Sequence, residues 1–381
     1  MPAGSTRDYW MAWFATLTFF VAFYALLVPL PRYLSQVALP DWQIGMILGA
    51  FGVASLVGRG LAGVAVDRWG ARPALLLGAA SLTFGAAAVP FVGSAWLLGV
   101  FRLLHAAGYV AFTTAGTSLV IQLTPLADRP GRLAIFGAAA NVAITFSPVV
   151  STALLAVMSL EQVFWASGLL AVVAGCLALL VRVQRGEAPA APLAGGGSRI
   201  PPFMLLPMVS AALFGCGFAA FFLFAPILGE RRDVASGALY TLYGLGIIAT
   251  RLMTSRWLNS TGVGRALSIA AALTVAGQVL CGVGDGLLTL GAGAVLIACG
   301  GGLFHPVLIA HHARLLPGQP GQASAAFYVA FDLGIGLGSW GLGVALQFGG
   351  LGLLYGVAAT AVVGAGLLAY PLERQAEARG A

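Results

Sequence analysis

The sequence predicts an all-α membrane protein whose twelve spanning helices fall into two six-helix halves. Three observations carry this expectation. Of 381 residues, 60% are hydrophobic and only 8% are charged, whereas a soluble globular domain carries about a quarter charged residues. The apolar residues come in long runs without strict alternation, which favours helices over the strands of a membrane barrel. A blurred repeat links the halves: Arg251, Asn259 and Gly262 reproduce the spacing of Arg59, Asp67 and Gly70, each set between two apolar runs.

A hydrocarbon core about 30 Å thick takes roughly 20 helical residues to cross. The first six runs of that length are Tyr9 to Pro31, Trp42 to Val66, Pro73 to Val92, Ala95 to Leu123, Leu133 to Met158 and Val163 to Val183. The second six are Phe203 to Leu228, Gly237 to Leu258, Ala266 to Val283, Leu287 to Leu316, Ala323 to Phe348 and Leu351 to Pro371. Between the sets, the stretch Arg185 to Arg199 is rich in Pro and Gly and reads as a flexible linker. The predicted organisation is therefore an N-terminal bundle over 1–183, a cytoplasmic linker over 184–202 and a C-terminal bundle over 203–381.

Orientation follows from the arginines, since positive loops stay cytoplasmic. Loops on one side hold Arg68, Arg72, Arg129, Arg132, Arg182, Arg185, Arg199, Arg256, Arg265 and Arg314, joined by Arg7, Arg374 and Arg379 at the termini; the other side holds Arg32, Arg231 and Arg232. Both termini are expected in the cytoplasm. The net charge of +7 is this bias. Arginines scattered over many short loops argue against a nucleic-acid surface.

The first apolar run is too long for a cleavable leader and is expected to remain as a span. Cys176, Cys216, Cys281 and Cys299 sit in or beside apolar runs as small hydrophobes. No metal spacing, phosphate loop or nucleophile–base pair stands out, so neither a metal, a cofactor nor an enzymatic activity is expected. Trp10, Trp42, Trp69, Trp96 and Trp257 fall at predicted helix ends, as interfacial anchors do.

The most informative stretch is Gly63-x3-Asp67-Arg68-x-Gly70-x-Arg72, a tight turn between the second and third spans. It resembles the loop motif of the major facilitator superfamily of transporters, and the stretch Ala330 to Gly338, which holds Asp332, resembles the eleventh span of several bacterial efflux-type members. Twelve spans, a central linker and a weak half-repeat resemble that family across nearly the whole chain. The resemblance implies a monomeric two-bundle fold, related by a pseudo-two-fold, that alternates access to a small-molecule site.

Within that resemblance, Gly63, Asp67, Arg68, Gly70 and Arg72 form a conformational latch, Asp67 pairing with arginines and with the positive end of a neighbouring helix. The alternative is that the arginines only enforce orientation. Arg102, followed by His105 and Gly108 in the fourth span, resembles the family's proton-coupling arginine motif, with His105 where that motif has Gln. An arginine inside a span costs roughly 2.5 kcal/mol or more and normally faces a cavity or a partner. Asn141 and Thr145-Phe-Ser147-Pro148 in the fifth span resemble the family's antiporter motif; otherwise Pro148 is an ordinary kink.

Asp332 lies about ten residues inside the eleventh span, roughly 15 Å deep at helical rise and so near the midplane. No other carboxylate is placed so deep. An acid there is suited to gain and lose a proton as access alternates, with Asn141 its approximate repeat partner. His305, beside Pro306, is either a cavity contact or a packed ring. His311 and His312 are expected nearer the interface. Arg59 and Arg251 hold equivalent places in the second and eighth spans, and Arg251 is a candidate anion clamp.

The deep polar groups Arg102, His105, Arg251 and His305 stand against Asp332, so a central site would be neutral to positive and would take neutral, zwitterionic or anionic organic solutes. Tyr24, Tyr109, Tyr243, Tyr328 and Phe331 are candidate walls. The expected activity is export of such a solute by proton antiport, with protons and membrane lipids as the other partners. The main alternative is a facilitator or proton symporter for organic anions such as monocarboxylates; a lipid flippase is a further one. The loops of Asp41 and Glu230-Arg-Arg-Asp233 carry complementary charges able to pair on the outer side.

Overall fold

A computed structural model describes residues 6–125, 128–182, 201–316 and 319–380. Residues 184–200 of the predicted linker, with Arg185 and Arg199, lie outside them. The described chain is helical throughout: α1 (Thr6–Ala25), α2 (Pro29–Gln36), α3 (Asp41–Trp69), α4 (Ala71–Ala87), α5 (Ala95–Leu123), α6 (Arg129–Leu154), α7 (Leu160–Leu180), α8 (Leu205–Arg231), α9 (Ser236–Ser260), α10 (Val263–Val283), α11 (Gly286–Leu315), α12 (Pro320–Leu367) and α13 (Ala369–Gly380). Among the described residues, 10 helical stretches are long and apolar enough to cross a membrane. The last of them, Gln322–Ala378, is two arms folded at Gly350 (φ 64°, ψ −159°). With α9 added, this agrees with the twelve predicted spans.

Local chemistry sets the helix ends. Pro29 opens α2 after the turn at 26–28, using a position where its missing N–H is not needed. Ser159 and Gln162 cap α7 reciprocally, the Gln162 N–H donating to the Ser159 hydroxyl at 3.3 Å and the Ser159 N–H to Gln162 Oε1 at 2.9 Å. Gly70 takes φ 88° and ψ 166° between α3 and α4, a region essentially reserved for glycine, although nothing lies within 4 Å of where a Cβ would be. The backbone angle, and not crowding, therefore requires this residue. Trp69 and Trp96, at the end of α3 and the start of α5, are exposed.

Contacts divide the chain into two compact units, 1–33 with 54–195 and 34–53 with 196–381. The division follows chain order except for 34–53. That segment joins the second unit because Gly45, Gly49 and Gly52 on the first half of α3 meet α12, where the Cα of Gly45 and Gly52 lie 2.9 Å from Cβ positions built on Gly343 and Gly336. Small residues bring α12 equally close to α8, since a Cβ on Gly338 would sit 2.8 Å from Cys216 Cα. Without a hydrophobic force between helices in lipid, such close backbone approach is the main source of packing energy.

In the first unit, α4 pairs with α5 and α7, and α1 with α5, α6 and α7. Gly78 and Gly85 of α4 face α5 so closely that a Cβ on either would lie 2.8 Å from the backbone nitrogens of Phe112 and His105. Gly108, the glycine of the Arg102–Gly108 motif, is pressed on α4 in the same way, a Cβ built there lying 2.7 Å from Gly78 O.

The chain after Pro371, which reads in the sequence as a short polar tail, forms α13 and packs on α10. Glu373 accepts the Gly264 backbone N–H at the start of α10, placing an acid at a positive helix end. Gln375 donates to Phe203 O at 2.7 Å and receives His311 Nε2 at 3.1 Å. His311, which this tail contacts through Gln375, and His312 are buried, at 1% and 0% exposed. His312 donates from Nδ1 to Leu308 O at 2.7 Å, with its ring 5.6 Å from that of Phe327.

Candidate functional site

In the first unit, Arg102, His105, Tyr109 and Phe112 recur at three- and four-residue intervals on α5 and so share one helix face. Opposite them α1 presents Phe19, Phe20, Phe23 and Tyr24. Phe19 stacks on Phe112 with centroids 4.0 Å apart, Phe23 on His105 at 4.6 Å, and Phe23 and Tyr109 meet at 4.5 Å. Phe20 links Tyr24 and Tyr109 at 5.9 and 5.7 Å. Arg102 Cζ lies 5.7 Å from the Phe23 centroid, within cation–π range.

The polar chemistry rests on two side chains. Arg102 and His105 are 5% and 2% exposed, and Arg102 Nη1 lies 2.5 Å from His105 Nδ1. A guanidinium can only donate, so Nδ1 must accept and the proton of the neutral ring sits on Nε2. Among the described residues, neither that Nε2 nor Arg102 Nε finds a hydrogen-bond partner. Two buried donors are thus left over beside an aromatic wall, and no carboxylate pairs with Arg102 among the described residues. Each unsatisfied buried donor costs about 1–3 kcal/mol, a penalty that an acceptor or anion placed there would relieve.

The second unit gathers a different set. On α11 and α12 the ring of His305 meets Phe327, Tyr328 and Phe331 at 4.8, 5.8 and 5.7 Å, and Phe331 meets Phe218 of α8 at 5.4 Å. Asp332, next to Phe331, is 4% exposed on the face of α12 that Gly52 of α3 approaches. On α9, Tyr243 is 3% exposed with its hydroxyl lacking a partner among the described residues, and it stacks on Phe221 at 5.1 Å. Arg251 is exposed.

On α6, Thr145 donates to Asn141 O at 2.7 Å, and Ser151 and Thr152 both donate to Pro148 O, at 3.1 and 2.7 Å. The hydroxyl of Ser147 is buried without a partner among the described residues. At the α3–α4 turn, Gly63 is buried while Asp67, Arg68 and Arg72 are exposed. Asp67 holds no hydrogen bond or ion pair among the described residues, and Arg72 donates to Leu179 O at the end of α7. The side chains of Arg256 and Asn259, at the corresponding turn of the second half, lie outside the description. The charged loops named in the sequence do pair: Arg231 Nη2 reaches both carboxylate oxygens of Asp41, at 2.9 and 2.7 Å.

The structure brings together Arg102, His105, Tyr24 and Tyr109 in one unit, and His305, Tyr328 and Phe331 in the other. Sequence reasoning missed Phe20 and Phe23, which connect the first set. The signal was present in the aromatic cluster Phe19-Phe20-x-x-Phe23-Tyr24 of the first span.

Comparison with known proteins agrees with these features. Residues 12–236 match the Major Facilitator Superfamily. A 117-residue stretch is 33% identical to the multidrug resistance protein MdtH of Proteus mirabilis (strain HI4320), covering 30% of this chain and 28% of that relative's length. The fold matches the crystal structure of the nucleoside transporter NupG (D323A mutant), with a TM-score of 0.76 at 13% identity over 96% of this chain and 98% of the other. It also matches a D-xylose–proton symporter, with a TM-score of 0.77 at 14% identity over 95% and 96%. The chain belongs to the Major Facilitator Superfamily, as a multi-pass membrane transporter of small solutes and not an enzyme.

Proposed function

We propose that the protein exports a small organic solute, neutral, zwitterionic or anionic, in exchange for protons. It would do so by alternating access across a bacterial inner membrane, as a monomer with both termini in the cytoplasm and six spans on either side of the linker. The observation that carries this reading is the Arg102–His105 pair, two buried donors with no acceptor among the described residues, beside an aromatic wall. Such a pair suits a carboxylate, carbonyl or other acceptor on a flat organic solute. Asp332, buried near mid-helix, is the proton carrier in this reading. Asn141, Tyr243, Arg251, His305, Tyr328 and Phe331 complete the solute contacts. Export accords with the multidrug resistance relative. Asp67, with Gly63, Arg68, Gly70 and Arg72, is the latch; its carboxylate holds no ion pair among the described residues and would pair in the alternate state.

A second reading is favoured by the same uncompensated Arg102: a facilitator or proton symporter for organic anions, with Arg102 or Arg251 as the clamp. One experiment separates them. Purified protein in weakly buffered detergent is challenged with pools of small organic solutes while proton release is recorded, for the wild type and Asp332→Asn. Antiport predicts proton release on solute binding, abolished in the variant. Solute binding without release in either protein refutes antiport and leaves the facilitator.

A further inference from the structure

Between α4 and α7 the first unit carries a groove of about 560 Å³, within the 300–1,000 Å³ range of small-molecule sites. It is bordered by Leu76, Ala79, Phe84, Val172, Gly175 and Leu179. Small residues make its floor, since a Cβ built on Gly175 would stand 3.2 Å from that of Ala79. The one hydroxyl on the groove, Thr83, donates to carbonyls within the wall, Ala79 O at 2.9 Å and Gly168 O at 3.2 Å. The lining therefore offers nothing to a hydrophilic solute and suits hydrocarbon.

One end of the groove is charged. Arg72 stands one turn before Leu76 on α4 and spends one donor on the carbonyl of Leu179, the groove residue at the end of α7. Arg182 follows Leu179 by less than a turn of chain. Both arginines are exposed, and a guanidinium carries five N–H donors, so most of their capacity is unused among the described residues. The acid beside them, Asp8, is 5% exposed and accepts the backbone N–H of Arg182 at 3.1 Å. Asp67 lies across the Gly70 turn, where Arg68 stands next to it.

We propose that this groove binds an anionic phospholipid, one acyl chain lying between α4 and α7 and the phosphate seated on Arg72 and Arg182. A hydrophobic slot ending in two cations fits that amphiphile and discriminates against a zwitterionic one, whose ammonium would be held near the arginines. Arginines at the membrane surface attract anionic lipid headgroups. The site is independent of the solute-binding residues. Because Arg72 begins the helix that follows the Gly70 turn, occupancy ties lipid composition to the loop that carries Asp67.

The test is native mass spectrometry of the full chain released from detergent with equal dioleoyl phosphatidylglycerol and dioleoyl phosphatidylcholine. The wild type should retain the anionic lipid in preference by about tenfold or more. Arg72→Gln with Arg182→Gln should bring that preference to about unity at an unchanged lipid-free melting temperature. Ala80→Trp, which fills the groove from an exposed position, should lose bound lipid of either kind. An intact preference in the double variant, or wild-type retention in Ala80→Trp, overturns the proposal. Should the variants fail to fold, bimane attached to exposed Cys176 in otherwise wild-type protein gives a second reading. Quenching by acyl-brominated phosphatidylglycerol should exceed that by the phosphatidylcholine analogue, and equal quenching refutes the site.

Discussion

The guanidinium of Arg102 and the imidazole of His105 stand 2.5 Å apart at Nη1 and Nδ1, 5% and 2% exposed, each with a further buried nitrogen that no described residue satisfies. A pair serving only the fold would be expected to find an acceptor. Replacing a buried charge with an apolar side chain of similar size is often neutral or stabilising, whereas breaking a compensated pair costs about 3–5 kcal/mol. Arg102→Met should therefore leave the melting temperature unchanged or raise it while weakening solute binding about 10- to 100-fold, the loss of a charge-assisted hydrogen bond. A destabilised variant with normal solute affinity would assign Arg102 to structure alone.

Gly70→Ala forces a side chain into a backbone region that only glycine occupies freely. The expected destabilisation is about 1–3 kcal/mol, read as a lower midpoint in a detergent melt, even though the new methyl meets nothing. An unchanged midpoint would mean that the α3–α4 turn relaxes to another conformation at little cost.

Glu373→Ala removes the carboxylate that accepts the first free N–H of α10 and leaves α13 attached through Gln375. A loss of about 0.5–2 kcal/mol is expected, with α13 becoming susceptible to carboxypeptidase. Glu373→Gln should recover part of it, because the amide oxygen still accepts.

Asp41 and Arg231 form a partly exposed pair, with side chains 18% and 39% accessible. A double-mutant cycle with Asp41→Asn and Arg231→Gln should give a coupling of no more than about 1 kcal/mol in stability. A larger effect is expected on transport rate if the pair must open during the cycle. Rates equal to wild type in both single variants would show that it need not open.

The fold was largely legible because membrane solvent leaves so few options: an unbroken apolar run longer than about 17 residues has to be a helix. The Gly70 turn was legible for a similar reason, since glycine in a charged connection marks an unusual backbone angle. The polar tail was not. Leu372, Glu373 and Gln375 look like loose ends in sequence, and only their contacts with Gly264, His311 and Phe203 make α13 a structural element. The contact with Gln375 likewise hides His311, whose position near a span end suggested the interface. At the candidate site Arg102, His105 and Asp332 stood out as polar groups in apolar company. Phe20 and Phe23 did not, because an aromatic ring in a membrane helix is ordinary until its partners are known. The grouping of 34–53 with α12 was equally hidden, as it depends on glycines far apart in the chain.

Transport driven by a pH gradient in proteoliposomes tests the central claim most directly, using the solute identified by proton release. Antiport through Asp332 predicts that an imposed proton gradient drives the solute uphill in the opposite direction, and that Asp332→Asn retains only downhill exchange. Solute movement at the same rate and to the same level with and without the gradient, in both proteins, would contradict it.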